Sequence, residues 1–167
     1  MSNYHDGKSK SFEYIHQLSD SEEDVRAEAA RRLNWVVIEQ AFFPLVEALR
    51  NDPNKNVRMY AAGAFGKLKD KGAIEPLTKA LNDREPIVRH WAANALGVIG
   101  HGHAVSPLLT ALKDKEAMVR WAAAWSLGEI GDARALEALI NARNDKHPTV
   151  RANANEAIQS IKGRSKK

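Results

Sequence analysis

The sequence contains no cysteine, so a disulfide framework and a thiolate nucleophile are both excluded. Long apolar runs are missing as well. The polar start, MSNYHDGKSKSF, offers no stretch that could act as a signal peptide or membrane span, so a soluble cytoplasmic protein with no membrane partner is expected. There is no glycine loop of the phosphate-cradling kind, no Ser/His/Asp order and no paired-carboxylate motif, so no enzyme activity, catalytic residue or cofactor is expected. An excess of one charge is missing where it would matter. The net charge is +4, but Lys8, Lys10, Lys162, Arg164, Lys166 and Lys167 sit at the two ends, leaving 19 basic and 20 acidic residues between positions 12 and 161. A neutral body with basic ends disfavours nucleic acid as a partner.

What the sequence does have is a repeat. Val-Arg recurs at Val25-Arg26, Val57-Arg58, Val88-Arg89, Val119-Arg120 and Val150-Arg151, with a spacing of 32 residues once and 31 three times. An Asp stands five residues before each Val (Asp20, Asp52, Asp83, Asp114, Asp145), and a Leu stands twenty after the first four (Leu45, Leu77, Leu108, Leu139). A period in this range signals stacked supersecondary units, a single solenoid domain in place of a globule.

Within the unit, Val88, Ala92, Ala95, Leu96 and Ile99 form the apolar stripe of an amphipathic helix. Ala104, Pro107, Leu108, Ala111 and Leu112 give a shorter helix in which Pro107 is tolerated because it lies in the first turn. Gly100 and Gly131 supply turns, and Pro86 and Pro148 open second helices. These signals predict an all-α chain of five helix pairs. First helices are expected near 11–18, 40–50, 72–82, 103–113 and 133–143, and second helices near 22–37, 54–69, 86–99, 117–130 and 148–161. The units then run approximately 11–38, 39–70, 71–100, 101–131 and 132–161, between a flexible tail at 1–10 and a basic tail at 162–167. Each turn Asp is expected to pair with an Arg and tie unit to unit, five such pairs making a ladder. Asn155 and Gln159 replace Ala93 and Gly97 of the central unit, the polar outer face expected of a terminal cap.

The order Asp, five residues, Val-Arg, Ala-Ala, Ala-Leu-Gly, Ile-Gly resembles the HEAT-like repeats named after phycobilin lyases. The resemblance covers residues 11–161. It is closest in VRHWAANALGVIG and VRWAAAWSLGEIG and weaker in VRAEAARRLNWVV, where Arg32 and Asn34 replace small residues. It implies a right-handed α-solenoid with second helices lining the concave side, and says little of function. The wider family includes deoxyhypusine hydroxylases, whose His-Glu iron ligands fall where this chain has His90-Trp91, and the missing Glu argues against a metal site. His101-Gly102-His103 is read as a turn. HEAT-like alkylpurine glycosylases bind DNA on a basic concave face, a charge this body lacks.

The arc of the second helices that the core stripe leaves free should be polar in a helix that only stacks. Here it holds Met59 and Tyr60, then Ile87, His90, Trp91 and Asn94, then Met118, Trp121 and Trp125. All four Trp residues fall on this arc, Trp35 included. Aromatic and thioether side chains in one patch suit a protein or peptide partner. Two other readings stay open: the rings wedge between neighbouring second helices, or the patch binds a second copy. The resemblance adds a different class of function, a subunit of a phycobilin-lyase-like or tetrapyrrole-handling complex.

Overall fold

In the computed structural model, which describes residues 3–35 and 39–164 and side chains from Lys10 onward, the chain is helical, with no strand among the described residues. Among the described residues ten α-helices form five pairs: α1 (Asn3–Gln17) with α2 (Glu23–Leu33), α3 (Phe42–Asn51) with α4 (Lys55–Leu68), α5 (Ile74–Ala80) with α6 (Pro86–Ile99), α7 (Val105–Ala111) with α8 (Ala117–Ile130), and α9 (Leu136–Ala142) with α10 (Pro148–Arg164). The even-numbered helices pack on one another in succession, far more closely than the odd-numbered ones do. The tighter layer is the inside of the curve, so the even helices line the concave side of an α-solenoid.

The core follows the repeat. Leu45, Leu77, Leu108 and Leu139 are buried, as are Val57, Val88, Val119 and Val150, while Ile99 is half-buried. Second helices end where the backbone turns left-handed, at Gly100 (φ 70°), Gly131 (φ 77°) and Lys69 (φ 51°). A side chain is tolerated at Lys69 with some strain. Asp70 and Asp132 then cap the following 3-10 turns, and His101 takes the same place, its Nδ1 accepting from the His103 amide at 3.3 Å.

Three boundaries differ from expectation. Helix α1 starts at Asn3, about two turns early, because residues 3–10 contain no proline and only Gly7 to weaken a helix. Residues 3–10, expected as tail, are therefore helical in backbone. Helix α2 stops at Leu33, with Asn34 as its C-cap, while residues 36 and 37 of the expected helix lie outside the described residues. Helix α10 runs on to Arg164, whose Nη1 donates to the Glu129 carbonyl, so residues 162–164 of the expected tail extend the last helix.

The joints between units use polar and small residues together. Arg58 donates from Nε and Nη2 to both oxygens of Asp83, one unit on, at 2.7 and 2.9 Å, and from Nη1 to the carbonyls of Asp52 and Pro53 in its own turn. Arg26–Asp52, Arg89–Asp114 and Arg120–Asp145 repeat the pattern. Each of these acceptors also caps its own turn, Asp83 taking the Glu85 amide at 2.8 Å. Among the described residues the ladder has four links where five were expected, because pairing is offset by one unit and Arg151 has only the turn carbonyls of Asp145 and Lys146. Burial pushes the Asp83 and Asp114 carboxyls up, but hydrogen bonds from Arg58 and Arg89 and from the turn amides outweigh it and hold both below the usual range. At Asp145 the Arg120 hydrogen bond itself leads the depression.

Small residues let the concave helices approach. Gly66, Gly97 and Gly128 share one register position. A Cβ at Gly97 would lie 2.7 Å from the Ser126 Cα, at Gly128 2.8 Å from the Ala157 Cα, and at Gly66 3.3 Å from the Ala95 Cα. Ser126 Oγ uses the closeness to donate across the joint to the Ala93 carbonyl at 2.8 Å.

Candidate binding face

The free arc of each even helix faces the concave side, and the residues expected there hold intermediate positions. Met59, Tyr60, Ile87, His90, Trp91, Asn94, Trp121 and Trp125 are half-buried, and Met118 is exposed. Trp91 and Trp121 pack against the core with part of each ring while keeping part accessible. They wedge and face outward at once.

Four of the nine converge. His90, Trp91, Asn94 and Trp121 line one open groove of about 360 Å³, together with Asn34, Gly63, Gly66, Lys67, Ala95 and Val98. The His90 ring stacks on Trp121 (centroids 6.0 Å, planes 20° apart) and meets Trp91 edge-on (6.2 Å, 85°). Its Nδ1 lies 3.1 Å from the Met118 carbonyl and its Nε2 2.9 Å from Asn94 Nδ2. A carbonyl can only accept, so Nδ1 carries the proton and Nε2 accepts from the Asn94 amide. Both nitrogens of a neutral imidazole are thereby engaged, and His90 serves as a fixed wall with no free donor or acceptor. Met59, Tyr60, Ile87, Met118 and Trp125 do not line this groove.

The groove is apolar, with one charge at its rim. Lys67 Nζ stands 5.8 Å from the centre of the Trp35 ring, in range for a cation–π contact, and Trp35 is 71% exposed. The ladder arginines are not available to it, since Arg58, Arg89 and Arg120 are buried and spent on Asp83, Asp114 and Asp145. Further along α2, hydrogen bonds from Arg31 and then Arg32 lower the Glu28 carboxyl to about 2.

Asn34 is the residue the sequence pattern did not single out as a contact. It occupies the register of Gly66, Gly97 and Gly128, is 7% exposed, and its Oδ1 has no hydrogen-bond partner among the described residues. It lies beside Gly63, where a Cβ would come within 2.7 Å of that oxygen and 3.2 Å of the Trp91 ring. The signal was present in the sequence as two coupled departures from the repeat: Asn34 where the three central units have Gly, and Gly63 where others have Arg31, Asn94, Trp125 and Glu156. Among the described residues no three His, Asp or Glu come together as a metal site, and no helix is long and apolar enough to cross a membrane.

Solved structures share the architecture. A chain of the complex of CpcE and CpcF of phycocyanin lyase from Nostoc sp. PCC7120 superposes with a TM-score of 0.84 at 22% identity, over 92% of this chain and 65% of that one. This chain therefore spans just under two thirds of its length. A designed armadillo repeat protein in complex with the peptide (KR)4 gives 0.70 at 23% identity, covering 96% and 87% of the two chains. YibA of Escherichia coli gives 0.77 at 21% identity, covering 95% and 64%. At such identities the likeness concerns the fold. No curated protein matches the sequence. The family of HEAT repeats does match, over residues 13–96 and 74–159, and with its five stacked helix pairs the chain belongs to that family.

Proposed function

We propose that this protein is a non-enzymatic interaction module that docks a protein or peptide segment along its concave face, with Trp91 and Trp121 as anchors. The observation that carries the reading is the aromatic floor made by His90, Trp91 and Trp121 across α6 and α8, half-buried and open to solvent on one side. Partly desolvated aromatic rings held rigidly by a packed layer are the side chains that dominate interfaces, each worth ~2 kcal/mol or more when it fills a partner's pocket. Met118, Trp125, Met59, Tyr60 and Ile87 extend the surface beyond the groove. The test is selection of a random peptide library on the wild-type protein and on a Trp91→Ala/Trp121→Ala variant. Peptides should be enriched on the first and not on the second. Equal enrichment on both would remove the aromatic floor as the binding element.

A second reading, a subunit that handles a tetrapyrrole, draws support from the likeness to the phycocyanin lyase complex chain. A flat chromophore suits the aromatic floor, but its propionates need cations, and Lys67 is the one cationic side chain lining the groove. Saturable uptake of a linear tetrapyrrole, followed by its visible absorbance and lost in the same Trp variant, would favour this reading over the first.

A further inference from the structure

Asn34 and Gly63 each weaken the free protein, and they do so at one spot. A buried carbonyl oxygen without a donor carries its desolvation cost uncompensated, and a glycine inside a helix is less stable there than alanine. The two are coupled by contact: a Cβ at Gly63 would collide with Asn34 Oδ1, so the glycine is what lets the oxygen sit beneath the groove floor, close to Trp91. The repeat calls for neither residue: Asn34 stands where three other units carry Gly66, Gly97 and Gly128, and Gly63 stands where the others carry Arg31, Asn94, Trp125 and Glu156. Two linked costs at the floor of a groove are accounted for if a ligand supplies the missing donor.

The walls restrict what that donor is. Trp91, Trp121 and the doubly engaged His90 are flat and uncharged, so an extended apolar ring that brings a single donor and no acceptor matches both the walls and the unmet oxygen. A cation is disfavoured by Lys67 at the rim. The indole of tryptophan is the natural side chain with an extended apolar ring, one N–H and no acceptor. Building on the interaction reading above, we propose that the segment bound on the concave face presents an indole to this groove, its N–H donating to Asn34 Oδ1. The oxygen is closed from water in the free protein, so binding turns the Asn34 amide toward the incoming ring.

The experiment titrates N-acetyl-tryptophanamide and its 1-methylindole analogue, which keeps the ring and lacks the N–H, into the full chain. The side-chain amide signals of Asn34 and the indole N–H signals of Trp91 and Trp121 are followed by NMR. The N–H probe should shift the Asn34 amide and bind at least ~10-fold tighter than the methylated one, the worth of about one hydrogen bond made in a dry site. An Asn34→Ala variant should bind both alike. Equal affinities in the wild type overturn the donor assignment while leaving the aromatic floor intact, and need no variant to fold. No shift at Trp91 or Trp121 with either probe overturns the indole proposal, and the peptide selection then decides the interaction reading by itself. N-acetyl-argininamide binding as tightly as the indole would overturn the uncharged-ring argument. Probe affinity that falls as protein concentration rises would give the groove to a second copy, with its exposed Trp35 as the competing ring, and overturn the partner segment as occupant.

Discussion

The joint between α4 and α6 and the joint between α6 and α8 are built on the same register, yet one is open and the other shut. At the second, Gly97 admits Ser126, whose hydroxyl bonds to the Ala93 carbonyl, and Asn94 and Trp125 fill the positions one turn earlier. At the first, a Cβ at Gly66 would stand a looser 3.3 Å from the Ala95 Cα, and Gly63 stands where Asn94 and Trp125 would be. The groove therefore arises from side chain left out of one helix, and the repeat supplies its rigid walls. A repeat array can gain a site by omission, because the neighbouring joints hold the helices in place around the gap.

The largest test of this comparison breaks what the two joints share. Arg58 and Arg89 make equivalent buried links, so Arg58→Ala and Arg89→Ala should each cost ~3–5 kcal/mol, the loss expected when one partner of a buried pair is removed. Urea unfolding midpoints would show it, and a marked inequality would mean that the joints differ in more than their small residues. Protons reach the same links together. The Asp83, Asp114 and Asp145 carboxyls are depressed, so the folded protein holds fewer protons on them than the unfolded chain does. Their contribution is complete above the unfolded value near ~4 and is lost as pH falls through the depressed folded values. Melting temperature should drop on acidification from pH 5 to pH 3, and less so in Asp114→Asn, which has already lost one titrating link. Next in size is a contrast between the joints. Gly97→Ala should cost ~2–3 kcal/mol, since its Cβ meets Ser126 backbone, whereas Gly66→Ala should cost ~1 kcal/mol or less because Ala95 can yield by a few tenths of an ångström. The smallest effect has the opposite sign: Asn34→Ala, which removes the unpartnered oxygen, should stabilise the free protein by ~1 kcal/mol, read from the same unfolding curves.

The repeat itself was legible residue by residue. Val-Arg, the Leu twenty positions on, Gly100, Gly131 and the opening prolines gave the five helix pairs, because each marks a place where backbone or core geometry allows few alternatives. The face was legible as a composition: rings and thioethers on an arc that stacking leaves free. Which of them meet was not. Sequence register places Trp91 and Trp121 on adjacent helices, but that His90 bridges them, with its tautomer set by Met118 and Asn94, depends on side-chain rotamers. Asn34 was visible only as an exception to the motif, since an unmet hydrogen bond is a property of surroundings gathered from α2, α4 and α6. The ladder shows the same limit. Spacing put an Asp six residues before each Arg, yet the carboxylate that each of the first four Arg grips stands 25 or 26 residues later.

That offset gives the chain a grammar. Every link reads forward, from the guanidinium of one unit to the carboxylate of the next, so a whole unit copied in frame brings one plug and one socket and leaves no charge stranded. A cut or insertion inside a unit does otherwise: it separates the Asp from the Arg that shares its turn and disturbs the joints on both sides. Lengthening by whole units is thus electrostatically neutral for the fold, while changes of any other length are penalised at two places. The same buried pairs that hold neighbouring units together also fix the quantum of 31 or 32 residues in which such a protein can grow.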